Sequence, residues 1–276
     1  MNDNSQDPQQ LRSYMYGPGN LGGLTIFSGG FINYGYWPSE IDDSRPLTVD
    51  ERTASQANLY REVAARLDAK PDSRLLEIGC GTGAGAALIA REHGPAALLG
   101  LDLSAEQLFR AASDPGTGSP SYLRGSAIAL PVADGSLDAV YCVEAAQHFD
   151  DHRGFAVEAR RVLRPGGRFV VAGFFAPTGK TDPRLAELLE TVGNGIDIVA
   201  PIEGFTGRMR DAGFAEVTVE SIGSRVWEGL DAWIAQTEHH DTWGRNWLPA
   251  YQSGWVDYYL VQGAALGRVG ACGEAS

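Results

Sequence analysis

The stretch Leu75-Leu76-Glu77-Ile78-Gly79-Cys80-Gly81-Thr82-Gly83 constrains this chain more than any other part of it. A short apolar run that breaks into alternating glycines reads as a buried strand entering a tight loop, and Ala84 to His93 reads as the helix after it. Glycines at such a junction let backbone approach a ligand closely, while the helix start presents free N–H groups. The alternation then repeats. Ala97 to Leu103 reads as a strand, and Ser104 followed by Gln107 is a capping signature that opens a helix. Leu137 to Val143 reads as a strand, with Phe155, Ala159, Val162 and Leu163 marking the next helix. Pro165-Gly166-Gly167 stops that helix, and Arg168 to Phe175 reads as a further strand. Alternation at this pace predicts an α/β chain with a parallel sheet covered by helices on both faces.

The flanks differ in character. Residues 1 to about 12 are polar and expected to be disordered, and the glycine- and aromatic-rich GPGNLGGLTIFSGGFINYGYWPSE follows as hinges carrying large rings. Tyr60, Val63, Ala64 and Leu67 predict one apolar helical face between Arg52 and Leu67. Beyond Pro177, Asp182-Pro183 starts a helix, Gly213 ends another, and Glu216 to Glu220 alternates like a half-exposed strand. Trp227, Leu230 and Ile234 share a helix face, and a last strand lies near Val256 to Gln262. No internal repeat is visible. The expected organisation is a single domain over 1–276. Its parts are a flexible N-terminus and lid (1–50), a ligand-binding core (51–175), and a lid insertion followed by the C-terminal strands (176–276). The insertion, about 176–205, falls where a lid over the sheet's carboxyl edge would go.

A formal net charge of -13 repels phosphate backbones and anionic lipid, which argues against nucleic acid and membrane as partners. Cys80, Cys142 and Cys272 have no metal-type spacing, and the first two sit in apolar runs as small hydrophobes. No metal is expected. With no apolar stretch resembling a signal peptide or a membrane span, the expected location is the reduced cytoplasm. Homo-oligomerisation is left open.

By itself the glycine loop is ambiguous, because Gly81-x-Gly83-x-x-Ala86 also passes as a nicotinamide-dinucleotide fingerprint. Two acids sharpen the reading. Glu77 stands where a pyrophosphate loop gains little from a carboxylate, and suits a cationic ligand better. Asp102 ends the second strand, where a carboxylate can take both hydroxyls of a ribose, and Ser104 offers the following helix a cap of its own.

Taken together, LLEIGCGTG, GLDLS, ALPVADGSLDAVYCVEAAQHFDD and RVLRPGGRFVVAGF resemble class I S-adenosylmethionine-dependent methyltransferases of the ubiquinone/menaquinone-biosynthesis type, over about residues 50 to 175. AGFAEVTVES resembles their sixth strand. NYGYWP with Gln56 is similar to natural-product members such as sugar O-methyltransferases. The resemblance implies a Rossmann-like sheet, mostly parallel with an antiparallel last strand, an N-terminal helical and aromatic lid, and an insertion after strand five. It implies S-adenosyl-L-methionine as cofactor, with Gly79, Gly81 and Gly83 along its methionine part and Gln56 reaching its carboxylate. Asp102 would hold the ribose, Leu103 would pack on the adenine, and Ser126 and Ala127 would border its amino group where relatives often carry an aspartate. Val143 and the Glu144 to His148 segment would border the methyl group.

Methyl transfer to a hydroxyl benefits from a general base, and His148 is the candidate. Tyr34, Tyr36 and Trp37 would close over the acceptor, with Glu144 and Gln147 beside it. The sugar-directed relatives carry an aspartate after strand five where this chain has Gly173-Phe174, which puts their base arrangement in doubt. The implied activity is methyl transfer to a small-molecule acceptor in secondary metabolism, with an oxygen acceptor favoured. A C- or N-methyltransferase, or a cyclase or isomerase that keeps the cofactor, stands as the alternative. Glu77 and the RPGG turn argue against a nicotinamide oxidoreductase. His239 and His240, with Trp243 and Trp247 nearby, read as solvated helix-end residues.

Overall fold

The computed structural model describes residues 7–42, 44–113 and 120–267. Residues 7–12, expected to be disordered, are instead the cap and first turns of a helix, and residues 1–6 lie outside the described residues. Helix α1 (Pro8–Tyr16) starts where the Asp7 side chain accepts from the Gln9 N–H and Pro8 supplies a first-turn proline. Two short turns lead to α2 (Val49–Leu67), which opens with a reciprocal capping box between Thr48 and Glu51.

The core follows as β1 (Arg74–Ile78), α3 (Ala84–His93), β2 (Ala97–Asp102), α4 (Ala105–Ala112), β3 (Ser121–Arg124) and β4 (Leu137–Val143). Then come α5 (His152–Val162), β5 (Leu163–Phe175), α6 (Arg184–Leu188), α7 (Glu190–Gly193) and α8 (Ile202–Asp211). The chain closes with β6 (Phe214–Ser221), α9 (Trp227–Ala235), α10 (Trp247–Gln252) and β7 (Asp257–Ala265). Pro165-Gly166-Gly167 lies inside β5, with the register shift between Leu137 and Ala139 of β4 absorbing the irregularity. Strand β3 had no sequence signal: its burial is only partial and one side of it is the sheet edge.

The seven strands form one sheet in the order β3-β2-β1-β4-β5-β7-β6, with β7 antiparallel to both neighbours and the other neighbouring pairs parallel. Adjacent strand residues point to opposite faces, and each face has its own core. Leu75 and Tyr141 pack toward α2, α3 and α9, whereas Leu76, Ile78 and Val140 pack toward α5 and α8. Strand order reverses between β1 and β4, so the crevice beyond their carboxyl ends is the place this topology offers a ligand.

Cys80 and Cys142 are buried free thiols, while Cys272 lies outside the described residues. Among the described residues no helix is long and apolar enough to cross a membrane.

Candidate active site

A cavity of about 950 Å³ opens at that crevice, floored by the β1–α3 loop and the ends of β2 and β4, and roofed by α1. Gly79 and Gly81 reach it with φ of +77° and +51°, a region glycine enters without steric cost. A Cβ on Gly79 would run into Ala145, whereas one on Gly81 would project into open space 3.8 Å from Ile32 Cδ1. Gly83 is not on the cavity. It caps α3 at φ +77°, and a Cβ there would strike the Tyr122 hydroxyl and Ala111, so its role is packing.

Asp102 lines the cavity at the end of β2, its Oδ2 accepting from the Gly81 N–H (2.9 Å) and its Oδ1 from the Ser104 N–H (2.8 Å). Helix α4 takes its cap from the Ser104 hydroxyl, which leaves the remaining lone pairs of Asp102 for another ligand. Leu103 is 68% exposed and Ile128 48% exposed, and both flank the cavity with Ser126 and Ala127. Apolar side chains so bare at a cavity mouth suit a flat ring laid between them. Val143 and Glu144 form the wall at the end of β4.

His148 lines the same cavity from the turn after β4. Its Nδ1 lies 3.1 Å from the Ile196 carbonyl and 3.3 Å from Asp197 Oδ1. Both are acceptors, so Nδ1 carries the proton and Nε2 presents a lone pair, to which the Tyr16 hydroxyl donates at 2.7 Å. Burial raises the Asp197 carboxyl above its ordinary range, opposed by the nearby His148, a Thr191 hydrogen bond and Arg12. Burial likewise holds the Tyr16 hydroxyl well above its usual value, with Asp197 and Glu144 adding to it. Helix α1 is fastened over this group by Arg12, which donates to the Gly195 and Ile196 carbonyls, and by Arg110, which donates to the Tyr16 and Gly17 carbonyls.

Other expected positions lie elsewhere. Glu77 is fully buried beneath the loop, accepting from the Tyr60 (2.8 Å) and Tyr141 (3.3 Å) hydroxyls, and does not reach the cavity. Gln56 is also fully buried and off the cavity, because its amide donates to the Phe31 carbonyl (2.6 Å) and so secures the segment before α2. Gln147 turns back to donate to the Glu144 carbonyl. None of Tyr34, Tyr36 and Trp37 lines the cavity. Tyr34 packs among Phe174, Trp227 and Trp247, Tyr36 is tied by its N–H to the Ser55 carbonyl, and Trp37 lies over Gly229. His239 and His240 sit in the turn after α9, where His240 Nδ1 lies 2.9 Å from the Thr237 carbonyl.

Three residues that sequence reasoning passed over complete the site: Arg12, Tyr16 and Asp197. Asp197 had a signal, since an acid set in the apolar run Ile196-Asp197-Ile198-Val199 must be buried with a partner. Tyr16 had none, being one aromatic among many in a glycine-rich stretch.

Comparison with known proteins finds methyltransferases by sequence and by fold. A family model described as a methyltransferase domain matches residues 76–171. An O-methyltransferase of Aspergillus nomiae is 36% identical over 166 residues, covering 59% of this chain and 71% of the relative. An O-methyltransferase of Aspergillus sclerotiorum is 37% identical over 153 residues, covering 54% of this chain and only 55% of that protein. A solved geranyl diphosphate methyltransferase, in complex with GPP and sinefungin, superposes with a TM-score of 0.82 at 16% identity, over 95% of this chain and 99% of that one. The matched domain spans the glycine loop, the acid after β2 and the turn after β4, and the chain belongs to the class I S-adenosylmethionine-dependent methyltransferases.

Proposed function

We propose that the protein methylates a hydroxyl of a small molecule in secondary metabolism, with His148 as general base. One observation carries this: a histidine whose Nδ1 is held by Ile196 and Asp197 and whose Nε2 already accepts from a hydroxyl in the cavity. The names of both Aspergillus relatives, as O-methyltransferases, support an oxygen acceptor.

The cavity fits the cofactor. S-adenosylmethionine, when bound, supplies a methyl group on a sulfonium that an acceptor displaces. Asp102 would hold the ribose hydroxyls, Leu103 and Ile128 would flank the adenine, and the space above Gly81 would take the methionine part. The lining carries five carboxylates (Asp102, Glu106, Glu144, Asp150, Asp151) against the guanidinium groups of Arg12 and Arg124, a balance suited to a cationic molecule.

The chain's own groups then have defined tasks. Asp197 and Ile196 fix the His148 ring and its tautomer. The acceptor hydroxyl takes over the bond that Tyr16 now makes to Nε2, and its proton passes to that nitrogen as its oxygen binds the methyl.

The test is release of S-adenosylhomocysteine when the protein and S-adenosylmethionine meet a panel of hydroxylated aromatic and polyketide compounds. Release coupled to an O-methyl product supports the reading. Conversion of an acceptor without release favours a cyclase or isomerase instead. Replacing Asp102 by alanine is expected to weaken S-adenosylhomocysteine binding about 100-fold or more, through loss of two charge-assisted hydrogen bonds worth roughly 1.5–3 kcal/mol each. Calorimetric titration reads this directly, and unchanged affinity removes the ribose assignment.

A further inference from the structure

The Glu144 carboxyl of the cavity wall touches neither the ribose nor the reacting hydroxyl in that scheme. Glu144 follows β4 at φ +47°, a left-handed conformation that a residue with a Cβ adopts only when its surroundings impose it. Here they do. Its N–H donates to the Ala172 carbonyl (2.9 Å), and its own carbonyl accepts from Gln147 Nε2 (2.9 Å). Its side chain is equally fixed: the Tyr34 N–H (2.7 Å) and the Tyr258 hydroxyl (2.8 Å) both donate to Oε1. Oε2 takes neither bond, and the residue lines the cavity.

Among the described residues no cation forms an ion pair with it. Arg52, the cation whose charge Glu144 feels, is fully buried and donates to the carbonyls of Ile26, Asn33 and Tyr34 and to the Ser55 hydroxyl. The guanidinium groups on the cavity wall are engaged as well, Arg12 with the Gly195 and Ile196 carbonyls and Asp150, and Arg124 with the Leu103 carbonyl. Burial pushes the Glu144 carboxyl up to about 7, as expected for a group that lacks an ion-pair partner. The result is a rigid oxygen at the acceptor's side of the cavity, on the same turn as His148, with hydrogen-bonding capacity to spare.

We propose that Glu144 determines acceptor specificity: its free oxygen takes a second hydrogen-bond donor of the acceptor, a hydroxyl or amino group apart from the one methylated, and turns away acceptors carrying an anion at that place. The inference rests on O-methyl transfer at His148. A fixed acceptor atom discriminates strongly between a ligand that fills it and one that leaves it unpaired, and a carboxylate repels a second anion in a confined space of low dielectric.

The probes are a naphthol, the matching vicinal naphthalenediol and the matching hydroxynaphthoate, with S-adenosylhomocysteine release as turnover. The wild-type protein is expected to use the diol at least tenfold better than the naphthol in kcat/KM, mainly through KM, and the hydroxynaphthoate least. Glu144→Ala should bring diol and naphthol within threefold of each other. Glu144→Gln, which keeps shape and removes charge, should raise the hydroxynaphthoate at least tenfold toward the naphthol. A single cooperative thermal unfolding transition in both variants verifies that they fold. Equal use of the three probes by the wild type, or the same order of preference in both variants, overturns the role of Glu144. No release from any probe counts against O-methyl transfer itself and takes this inference with it, which separates the two failures.

Discussion

Replacing His148 by alanine is expected to lower kcat by about 10²- to 10⁴-fold, the range general-base groups supply, while S-adenosylhomocysteine affinity changes less than threefold. The split follows from geometry: His148 meets the acceptor's side of the cavity, and its bonds run to Tyr16, Ile196 and Asp197 rather than to the glycine loop or Asp102. Asp197→Asn makes a finer test. An amide in place of the carboxylate still fills the space, yet it no longer favours the proton on Nδ1 or stabilises the imidazolium formed in transfer, so kcat should fall about tenfold or more with KM little changed. A merely structural Asp197 would lower stability without moving the pH profile; a positioning Asp197 lowers the apparent pKa of the rate when it is lost. Unaltered turnover in His148→Ala would leave proximity as the main source of catalysis and remove the base assignment.

Tyr16 ties this chemistry to α1. Its hydroxyl occupies the nitrogen that the acceptor needs, so the closed arrangement of α1 and the loaded site exclude one another at that atom. The fastening is modest: Arg12 and Arg110 hold carbonyls, and the Arg12–Asp150 pair at 3.6 Å is partly exposed. Partly exposed pairs of this kind contribute little, which lets the helix yield to a ligand.

The legible part of this molecule was the part with strong local rules. The run before Gly79, the Ser104 cap and the apolar faces of α2 and α9 each follow from period and capping chemistry, and the parallel sheet follows from their alternation. Asp102, Leu103 and His148 reach the cavity because each sits at a strand end or in the turn just beyond one, where position in sequence nearly determines position in space. What failed was long-range. Gln56 and Glu77 had the right neighbours in sequence, but the depth of each below the surface is set by α2 and the Phe31–Asn33 segment, which no local pattern reveals. The end of β5 carries Gly173-Phe174 and no aspartate; the carboxyl beside His148 is Asp197 of the insertion, 24 positions beyond Gly173. Only the three-dimensional path of residues 176–197 brings it beside His148.

The misplaced Glu77 gives the largest predicted effect on stability. Its carboxyl is fully buried, accepts from Tyr60, Tyr141 and the Ala86 N–H, and is nonetheless pushed up to about 8, because burial outweighs those hydrogen bonds and Asp102 adds repulsion. In the unfolded chain a glutamate titrates near 4.3. A carboxyl whose folded value is the higher one stabilises the protein fully below about pH 4, and that contribution is lost as pH rises through about 8. At about 1.4 kcal/mol per pH unit, the loss between pH 5 and pH 8 comes to roughly 3–4 kcal/mol. Glu77→Gln removes the titration while keeping an oxygen for Tyr60; the hydrogen bond it sacrifices is a constant offset at every pH. The difference in unfolding free energy between Glu77→Gln and the wild type, from denaturant melts, should therefore climb by that amount in the variant's favour from pH 5 to pH 8. A flat difference would mean that the three donors keep the carboxylate ionised throughout. The effect reaches the site through Tyr60, which lines the cavity and packs against Gly85 at the start of α3. Through Tyr60, Glu77 joins the buried layer beneath the glycine loop to the cavity wall.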